Sequence, residues 1–332
     1  MAKKMPTLAG KAISQNGLGL MRLTMPGFAL SDEETFKVLR SAVAAGVNLW
    51  NGADYYGSPD NNSLHLMKRY FTKYPEDAEK VVFTLKTGMV DRRTLQMDCS
   101  PEALRRSYDS AASILGDTKK IDVFGIARID KNVPVEDTVQ ALDQMRREGK
   151  FAGIELSEVS ADTIKRAAQI AKIDMLEAEA SLWTTNVFEN GVADVCAELG
   201  IVLVAHTPLG FGMLTGQMKT LDDVPAPLRQ LPRYQPETFP INLRLVNAVE
   251  ELAKEKQCTT PQLALSWLKS RTVRAGPVIV PIAGARSTER VRENAQTVQL
   301  GDADFEKIAE ILRSFPVEGY RTMPQMAAVN EY

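Results

Sequence analysis

The side chains best suited to chemistry follow one short apolar run. Val47–Trp50 lies between two glycines and is predicted to form a buried strand that ends in a turn. An amide (Asn51), a carboxylate (Asp54) and two phenols (Tyr55 and Tyr56) follow it directly. Because a strand fixes the side chains at its end and the next loop exposes them, we expect the reaction centre here.

A lysine ends a second apolar run and suggests what the phenols do. Val81–Leu85 is predicted as a strand, and Lys86 follows it at once. A phenol with its ordinary pKa of about 10 is a poor acid at neutral pH, but a neighbouring ammonium favours the phenolate and makes the phenol a better proton donor. Tyr56 and Lys86 together suit a general acid for a carbonyl oxygen that receives a hydride. Both residue types are common, so the pair alone is also compatible with no catalytic role.

Strand-like and helix-like segments alternate along the whole chain. Strands are predicted at eight apolar runs, which are Gly17–Met21, Val47–Trp50, Val81–Leu85, Ile121–Ile126, Gly153–Leu156, Met175–Ala178, Ile201–Ala205 and Pro277–Val280. Amphipathic helices are predicted at Asp32–Ala45, Pro101–Leu115, Val135–Arg147, Ala161–Ala171, Val187–Leu199, Leu243–Lys256 and Pro261–Leu268. Eight βα units predict an α/β protein, a single-domain (β/α)8 TIM barrel over residues 1–332. The competing doubly wound sheet is disfavoured because no Gly-x-Gly-x-x-Gly opens a βα unit.

Three segments fall outside this alternation. Leu8–Ile13 is predicted as a β-hairpin that plugs the barrel floor. Residues 217–242 carry five prolines and are predicted as a long loop over the cofactor or substrate, with a mobile surface excursion as the alternative. The irregular tail, Pro316 to Tyr332, is expected to fold over the barrel mouth.

Composition excludes several functional classes. The chain has 42 acidic and 40 basic side chains and a formal charge of -2, so nothing in it favours nucleic acid or an anionic membrane surface. No secretory signal or membrane-spanning stretch is visible. The two histidines and three scattered cysteines form no close cluster, so we expect no metal site and free thiols in a reducing, cytoplasmic compartment.

Several motifs resemble those of the aldo-keto reductases. They are Trp50-Asn-Gly-Ala-Asp-Tyr-Tyr56-Gly57, the strand ending in Lys86, Gly153-Ile-Glu-Leu-Ser157-Glu158, Pro208–Gly216 and Val280–Asn294. The motifs cover nearly the whole chain in the family's order. The resemblance implies a (β/α)8 barrel that reduces small aldehydes and ketones with NADPH.

The family's catalytic tetrad of Asp, Tyr, Lys and His carries over only in part. Tyr56 and Lys86 match it, whereas Asn51 stands at the Asp position and Ala127 at the His position. Asn51 positions Lys86 but cannot balance its charge, so an uncompensated lysine is expected to depress the pKa of Tyr56 further. Loss of the His removes a donor of a kind worth about 2.7–4 kcal/mol in another enzyme. Arg128, His206 or a water is the candidate substitute.

The resemblance also implies a nicotinamide site. Ser157 and Glu177 would hold the carboxamide, and Glu177 would accept from its NH2 group because an ionised carboxylate cannot donate. Glu158 is assigned to the same cofactor site, although it stands where an asparagine is usual. His206 takes the place of a stacking tyrosine, with an ordinary buried histidine as the alternative. Pro208–Gly216 and the proline-rich loop would follow the pyrophosphate, and the cofactor contacts assigned within this stretch are Pro208, Leu209 and Gly210.

The adenosine end of the cofactor is implied by the last motif. Arg286, Ser287 and Arg290 match the group around the 2′-phosphate, near a helix start that itself favours anions, and they predict a preference for NADPH over NADH. Glu293 and Asn294 would reach the adenosine, with a solvated helix face as the alternative. The candidates for the substrate wall are Met21, Trp50, Tyr55 and Arg128, each of which packing or surface exposure would also explain.

A narrower resemblance concerns the substrate. Asn51, Phe124–Asp130, Leu156–Glu158 and Glu177–Glu179 are similar to the fungal pyridoxal reductases, which implies reduction of pyridoxal to pyridoxine. The alternatives are reduction of another aldehyde or ketone, such as a secondary-metabolite carbonyl, and a nucleotide-binding redox sensor with weak turnover. The missing Asp and His motivate the sensor. The sequence does not determine the oligomeric state.

Overall fold

The computed structural model describes residues 5–272, 276–323, 325–326 and 329–331. Eight parallel strands close into a barrel in which each strand pairs with its neighbours in chain order and the last pairs with the first. The strands are β1 (Gly17–Gly19), β2 (Leu49–Ala53), β3 (Val82–Thr87), β4 (Val123–Ile126), β5 (Gly153–Ser157), β6 (Met175–Glu179), β7 (Val202–His206) and β8 (Ile279–Ala283). The predicted (β/α)8 barrel is confirmed.

Helices connect the strands, and their first residues follow the capping signals in the sequence. The helices are α1 (Asp32–Ala44), α2 (Ser63–Lys73), α3 (Pro101–Leu115), α4 (Val135–Arg147), α5 (Ala161–Ile170), α6 (Val192–Leu199), α7 (Phe239–Glu255), α8 (Thr260–Arg271), α9 (Thr288–Ala295) and α10 (Asp302–Ser314). Ser31 and Ser100 cap α1 and α3 by accepting from backbone N–H groups of the first turn.

Two predicted helix starts are wrong. Gly191, with φ of 84°, delays the start of α6, and Pro240 sits in the first turn of an α7 that begins earlier than predicted.

Apolar side chains fill the barrel floor. Thr7–Leu8 pairs with Lys11–Ala12 as an antiparallel hairpin. Leu8 and Ile13 are buried and pack in one cluster with side chains of the barrel lumen, which are Leu49, Val82, Val123, Met175, Val202, Val204, Val280 and Ile282. The predicted hairpin therefore closes the floor and leaves the carboxyl ends of the strands for chemistry.

The alternation of strand side chains decides which residues face the lumen. Successive side chains of a strand point to opposite faces, so Asn51 lies above Leu49 whereas Trp50 points outward. Trp50 is 0% exposed, stacks on Phe71 of α2 and donates its indole N–H to the carbonyl of Val47 at 2.9 Å. Trp50 is therefore a core residue between strand and helix, and its prediction as part of the substrate wall is wrong.

The proline-rich segment after β7 is an ordered part of the barrel mouth. It contains short 3-10 turns at Leu221–Asp223, Leu228–Gln230 and Pro232–Tyr234. The Tyr234 hydroxyl donates to the carbonyl of Gly210 at 3.1 Å, and the buried Arg233 donates to the carbonyl of Trp183 at 2.8 Å. The segment thus packs against the loop that the sequence assigns to the cofactor.

Within the described ranges, no helix combines the length and apolar character needed to cross a membrane. The same residues include no group of three or more His, Cys, Asp and Glu side chains placed to hold a metal ion. Cys99, Cys196 and Cys258 are free thiols.

Candidate active site

Tyr56 and Lys86 meet at the carboxyl ends of β2 and β3. The Lys86 ammonium lies 5.5 Å from the centroid of the Tyr56 ring. The turn after β2 returns the chain over the mouth, since the N–H of Tyr56 donates to the carbonyl of Ala53 at 3.2 Å and Ala53 is the strand partner of Lys86. Asn51 and Lys86 are each 1% exposed. The structure therefore brings together the three residues for which the sequence predicts catalytic roles.

Lys86 has a carboxylate partner. Its Nζ donates to Glu177 Oε2 at 2.5 Å and to Asn51 Oδ1 at 2.7 Å. The Asn51 amide donates to the same Glu177 oxygen at 2.7 Å and to Thr84 Oγ1 at 3.0 Å. Asn51 therefore orients Lys86, as predicted, but Glu177 of β6 supplies the negative charge. The prediction of an uncompensated lysine is wrong, because the counter-charge comes from the opposite side of the lumen.

Charge compensation changes the acidity of the phenol. Burial raises the pKa of Tyr56 and the Glu177 carboxylate raises it further, whereas the Arg128 guanidinium and a hydrogen bond with Tyr55 lower it. The pKa of Tyr56 is raised overall, so its predicted depression by Lys86 is wrong. Burial also disfavours the Lys86 ammonium, but the nearby carboxylates outweigh this and its pKa is raised. At neutral pH the site holds a protonated phenol and a protonated amine, which are the forms a proton donor and its cationic neighbour need.

Arg128 follows β4, next to the alanine at the family's His position. Its Nη1 donates to the carbonyl of Ala127 at 2.5 Å and to Ser157 Oγ at 3.3 Å, and its Nε donates to Asn330 Oδ1 of the tail at 2.7 Å. Its charge favours the phenolate forms of Tyr55 and Tyr56. Arg128 thus places a cationic hydrogen-bond donor close to both phenols.

Glu158 is the centre of a buried ion cluster. One of its oxygens lies 2.7 Å from His206 Nε2 and accepts the N–H of Glu179 at 2.8 Å, and the other pairs with Arg321 of the tail. Arg321 also pairs with the Glu179 carboxylate at 3.1 Å. Because Glu158 is 0% exposed and both its oxygens are occupied, it ties the tail to the barrel mouth rather than presenting a free group to the nicotinamide carboxamide. That sequence assignment is corrected.

The remaining predicted nicotinamide contacts lie on the ends of β5 to β7. Ser157 is fully buried beside Arg128. The His206 ring is partly exposed and is held on its second nitrogen by Thr207 Oγ1 at 3.0 Å. The ring is thereby fixed at the mouth, and its stacking role remains a prediction.

The loop after β7 has an unusual backbone. Thr207 and Phe211 have φ values of 50° and 54°, in the left-handed region that non-glycine residues rarely adopt. The Arg22 guanidinium, next to the predicted substrate residue Met21 in the one-turn helix Met21–Thr24, donates to the carbonyl of Phe211 at 3.2 Å. Disfavoured conformations of this kind concentrate at ligand-binding sites, which supports the assignment of Pro208–Gly216 to the cofactor.

The predicted adenosine site surrounds the start of α9. Ser287 caps this helix by accepting the N–H of Arg290 at 3.3 Å, and the Arg290 guanidinium pairs with Glu293 at 2.5 Å. Arg286 is exposed. Asn294 is 8% exposed, and its Oδ1 has no hydrogen-bond partner within the described part of the chain. A buried unpaired acceptor is unfavourable, and an adenine amino group would satisfy it. The residues present therefore fit a dinucleotide with a 2′-phosphate.

Asp54 provides a test of how strongly the mouth excludes water. Burial raises the pKa of Asp54 to about 6, although its carboxylate accepts from Thr87 Oγ1 at 2.5 Å. Folding therefore favours the protonated acid, and this stabilisation is lost as the pH rises from the ordinary Asp pKa to about 6. We expect the free energy of unfolding of the wild type, measured by denaturant titration relative to Asp54→Asn, to fall by about 2–3 kcal/mol over this range. A difference that stays constant with pH would contradict this.

Four polar residues of the mouth had no site role predicted from the sequence, and they are Thr84, Glu155, Glu179 and Arg321. The alternation of side chains along each strand already indicated some of these residues. Glu155 and Ser157 share one face of β5, and Glu177 and Glu179 share one face of β6. Carboxylates on the lumen side of apolar strands require partners. Nothing local to Arg321 indicated that it would supply one.

Comparisons with known proteins establish the family. Residues 17–313 match the model of the Aldo/keto reductase family. The chain belongs to the aldo/keto reductase family. This aldo-keto reductase is 33% identical to probable pyridoxal reductase 2 of Schizosaccharomyces pombe, over 97% of this chain and 98% of the relative. It is 32% identical to a putative pyridoxal reductase of Saccharomyces cerevisiae, over 92% and 94%.

Two further comparisons bear on cofactor and fold. Aldo-keto reductase yakc of S. pombe, whose name carries NADP(+), is 32% identical over 93% of this chain and 91% of its own. A glycerol dehydrogenase of Gluconobacter oxydans superposes with a TM-score of 0.82 at 20% identity, covering 96% of this chain and 98% of that chain. The likeness to the dehydrogenase shows the shared barrel fold alone.

Proposed function

We propose that this aldo-keto reductase uses NADPH to reduce an aldehyde to an alcohol in the cytoplasm, with pyridoxal as the first-choice substrate and pyridoxine as the product. The observation that carries the proposal is the buried Lys86 ammonium beside the partly exposed Tyr56 phenol at the barrel mouth. Two relatives named as pyridoxal reductases support the choice of substrate.

Residues of this chain supply the proton that the carbonyl oxygen takes up. When bound, NADPH supplies the hydride that the carbonyl carbon takes up. The Tyr56 hydroxyl donates its proton to the carbonyl oxygen, so that C=O becomes CH–OH and the phenol becomes a phenolate. The Lys86 ammonium favours that phenolate, and Arg128 donates a hydrogen bond to the oxygen in place of the family's His.

The cofactor contacts are proposed from the family's motifs. Ser157, Glu177 and His206 are proposed for the nicotinamide end and Pro208–Gly210 for the pyrophosphate. Arg286, Ser287 and Arg290 are proposed for the 2′-phosphate, with Glu293 and Asn294 at the adenosine. The unpaired Asn294 oxygen supports the adenosine end, and the exposed Arg286 supports the phosphate.

The substrate is tested by comparing kcat/KM for pyridoxal and for benzaldehyde with NADPH as reductant. We expect pyridoxal to be preferred at least about tenfold, because a site that hydrogen-bonds ring substituents rejects analogues without them. Turnover of benzaldehyde alone would sink the pyridoxal proposal and leave the reduction of another aldehyde or ketone.

Two observations favour the second candidate, a nucleotide-binding redox sensor with weak turnover. The raised pKa of Tyr56 and the alanine at position 127 both make proton donation harder than in the family's complete tetrad. Arg128 is the group that decides between the two, since its donor replaces the missing one in the reductase.

A further inference from the structure

A second carboxyl group lies beside Lys86 and takes no part in the reaction as proposed above. Glu155 of β5 is 0% exposed, and its Oε1 lies 4.0 Å from Lys86 Nζ. No donor within the described residues reaches either of its oxygens. Its neighbour is Glu177 on the adjacent strand β6, itself 4% exposed and bound to Lys86.

An isolated, fully buried carboxylate without donors is costly to ionise. Two carboxyl groups side by side share one proton, because like charges in a buried site do not both persist. A protonated Glu155 has a donor, and the Glu177 carboxylate is the acceptor next to it. One proton on the pair and one on Lys86 make the cluster electrically neutral.

We propose that Glu177 and a protonated Glu155 are positioning residues of the reaction, in which Glu177 carries the counter-charge for Lys86 that Asn51 cannot supply and the Glu155 hydrogen bond holds Glu177 in place. The proposal rests on the proposed function in that Lys86 acts on Tyr56. The negative charge that balances Lys86 thus lies on β6 in this chain, whereas the family's Asp would place it on β2.

The electrostatics of the lumen agree with this arrangement. Burial raises the pKa of Glu155 well above its ordinary range, and the Glu177 charge and hydrogen bond raise it further against the Lys86 ammonium. For Glu177 burial acts in the same direction, but Lys86 and His206 outweigh it and its pKa is lowered. Tyr55 and Tyr56 also face the pair, and the Glu177 charge disfavours both phenolates. The opposite directions of the two pKa shifts place the proton of the pair on Glu155.

Moving the negative charge from Glu177 on β6 to position 51 on β2 tests the role of Glu177. We expect Glu177→Gln to lower kcat by about 100-fold, at the lower end of the range for general-acid catalysis. Because Glu177 is also proposed for the carboxamide, NADPH affinity is measured separately and kcat is taken at saturating NADPH. The double variant Asn51→Asp/Glu177→Gln returns a carboxylate to β2 and should recover most of the loss. Unchanged kcat in Glu177→Gln, or a loss that the double variant does not recover, would overturn the proposal.

Asp143→Asn is the matched control, since Asp143 is a buried carboxylate paired with Arg146 and Arg147 on α4, away from the mouth. Thermal unfolding of all variants separates a change in stability from a change in kcat. If Glu177→Gln weakens NADPH and leaves kcat unchanged, Glu177 acts on the carboxamide instead.

Infrared spectroscopy of the wild type tests Glu155 without any substrate. At pH 8, where Asp54 is ionised, we expect the carbonyl band of a buried carboxylic acid that is absent in Glu155→Gln. Absence of the band in the wild type would show an ionised Glu155 and overturn its assigned role. If no aldehyde turns over, the proposed function fails while this band still decides the state of the carboxyl pair.

Discussion

Replacing Tyr56 with phenylalanine is expected to lower kcat for aldehyde reduction by about 10²–10⁴-fold, the usual contribution of a general acid. The variant keeps the ring 5.5 Å from Lys86 and loses only the hydroxyl that protonates the carbonyl oxygen. NADPH affinity, measured by quenching of protein fluorescence, should stay nearly unchanged because no cofactor contact is assigned to the phenol. Steady-state turnover with saturating aldehyde gives kcat.

Tyr55→Phe is the matched control for this variant. The centroids of the two rings are 5.0 Å apart, and the Arg128 charge favours the phenolate form of both residues. Removing the Tyr55 hydroxyl takes away a hydrogen bond that lowers the pKa of Tyr56, so a modest loss of a few-fold is expected. Equal losses in the two variants, or full activity in Tyr56→Phe, would remove Tyr56 from its proposed role.

Arg290→Ala is expected to weaken NADPH binding by about 10–100-fold and to leave NADH binding nearly unchanged. A hydrogen bond to a charged group contributes about 1.5–3 kcal/mol, which corresponds to this range. Arg290 lies in the first turn of α9, and its guanidinium is paired with Glu293 at 2.5 Å. Dissociation constants for both cofactors give the discrimination directly.

The neighbouring Arg292 supplies the control for Arg290. It is exposed in the last turn of the same helix and has no assigned contact to the phosphate. Arg292→Ala removes the same formal charge, so it reports the general electrostatic contribution, which salt screens. Equal weakening of NADPH and NADH by Arg290→Ala would place the 2′-phosphate elsewhere.

The fold was predictable because its signals are local. Apolar runs gave the eight strands, and Ser31 and Ser100 marked helix starts through capping that depends on residues three positions apart. The start of α6 was predicted too early because the amphipathic pattern continues through Gly191. The positive φ of Gly191 is not helical, so the helix begins only after it. The outward position of Trp50 was also accessible from the alternation of β2.

The site was predictable only where the family's motif places residues next to one another. Tyr56, Asn51 and Lys86 came from such motifs. The Glu177 partner of Lys86 is 91 positions away in the chain, and the Arg321 partner of Glu158 is 163 positions away. Which charges meet across the lumen depends on barrel closure and on the path of the tail, and neither leaves a trace in local sequence. The wrong prediction for the Tyr56 pKa followed from this missing partner.

In the proposed reaction Tyr56 and Lys86 serve the reduction of a carbonyl by bound NADPH. It is tested most directly by a single-turnover experiment, in which enzyme in excess over NADPH is mixed with pyridoxal and the NADPH absorbance is followed. The proposed reaction predicts complete, single-exponential oxidation of NADPH in the wild type. In Tyr56→Phe the oxidation should be at least about 100-fold slower. NADPH that binds but stays reduced in the wild type with both pyridoxal and benzaldehyde would contradict the proposed reaction and favour a nucleotide-binding sensor.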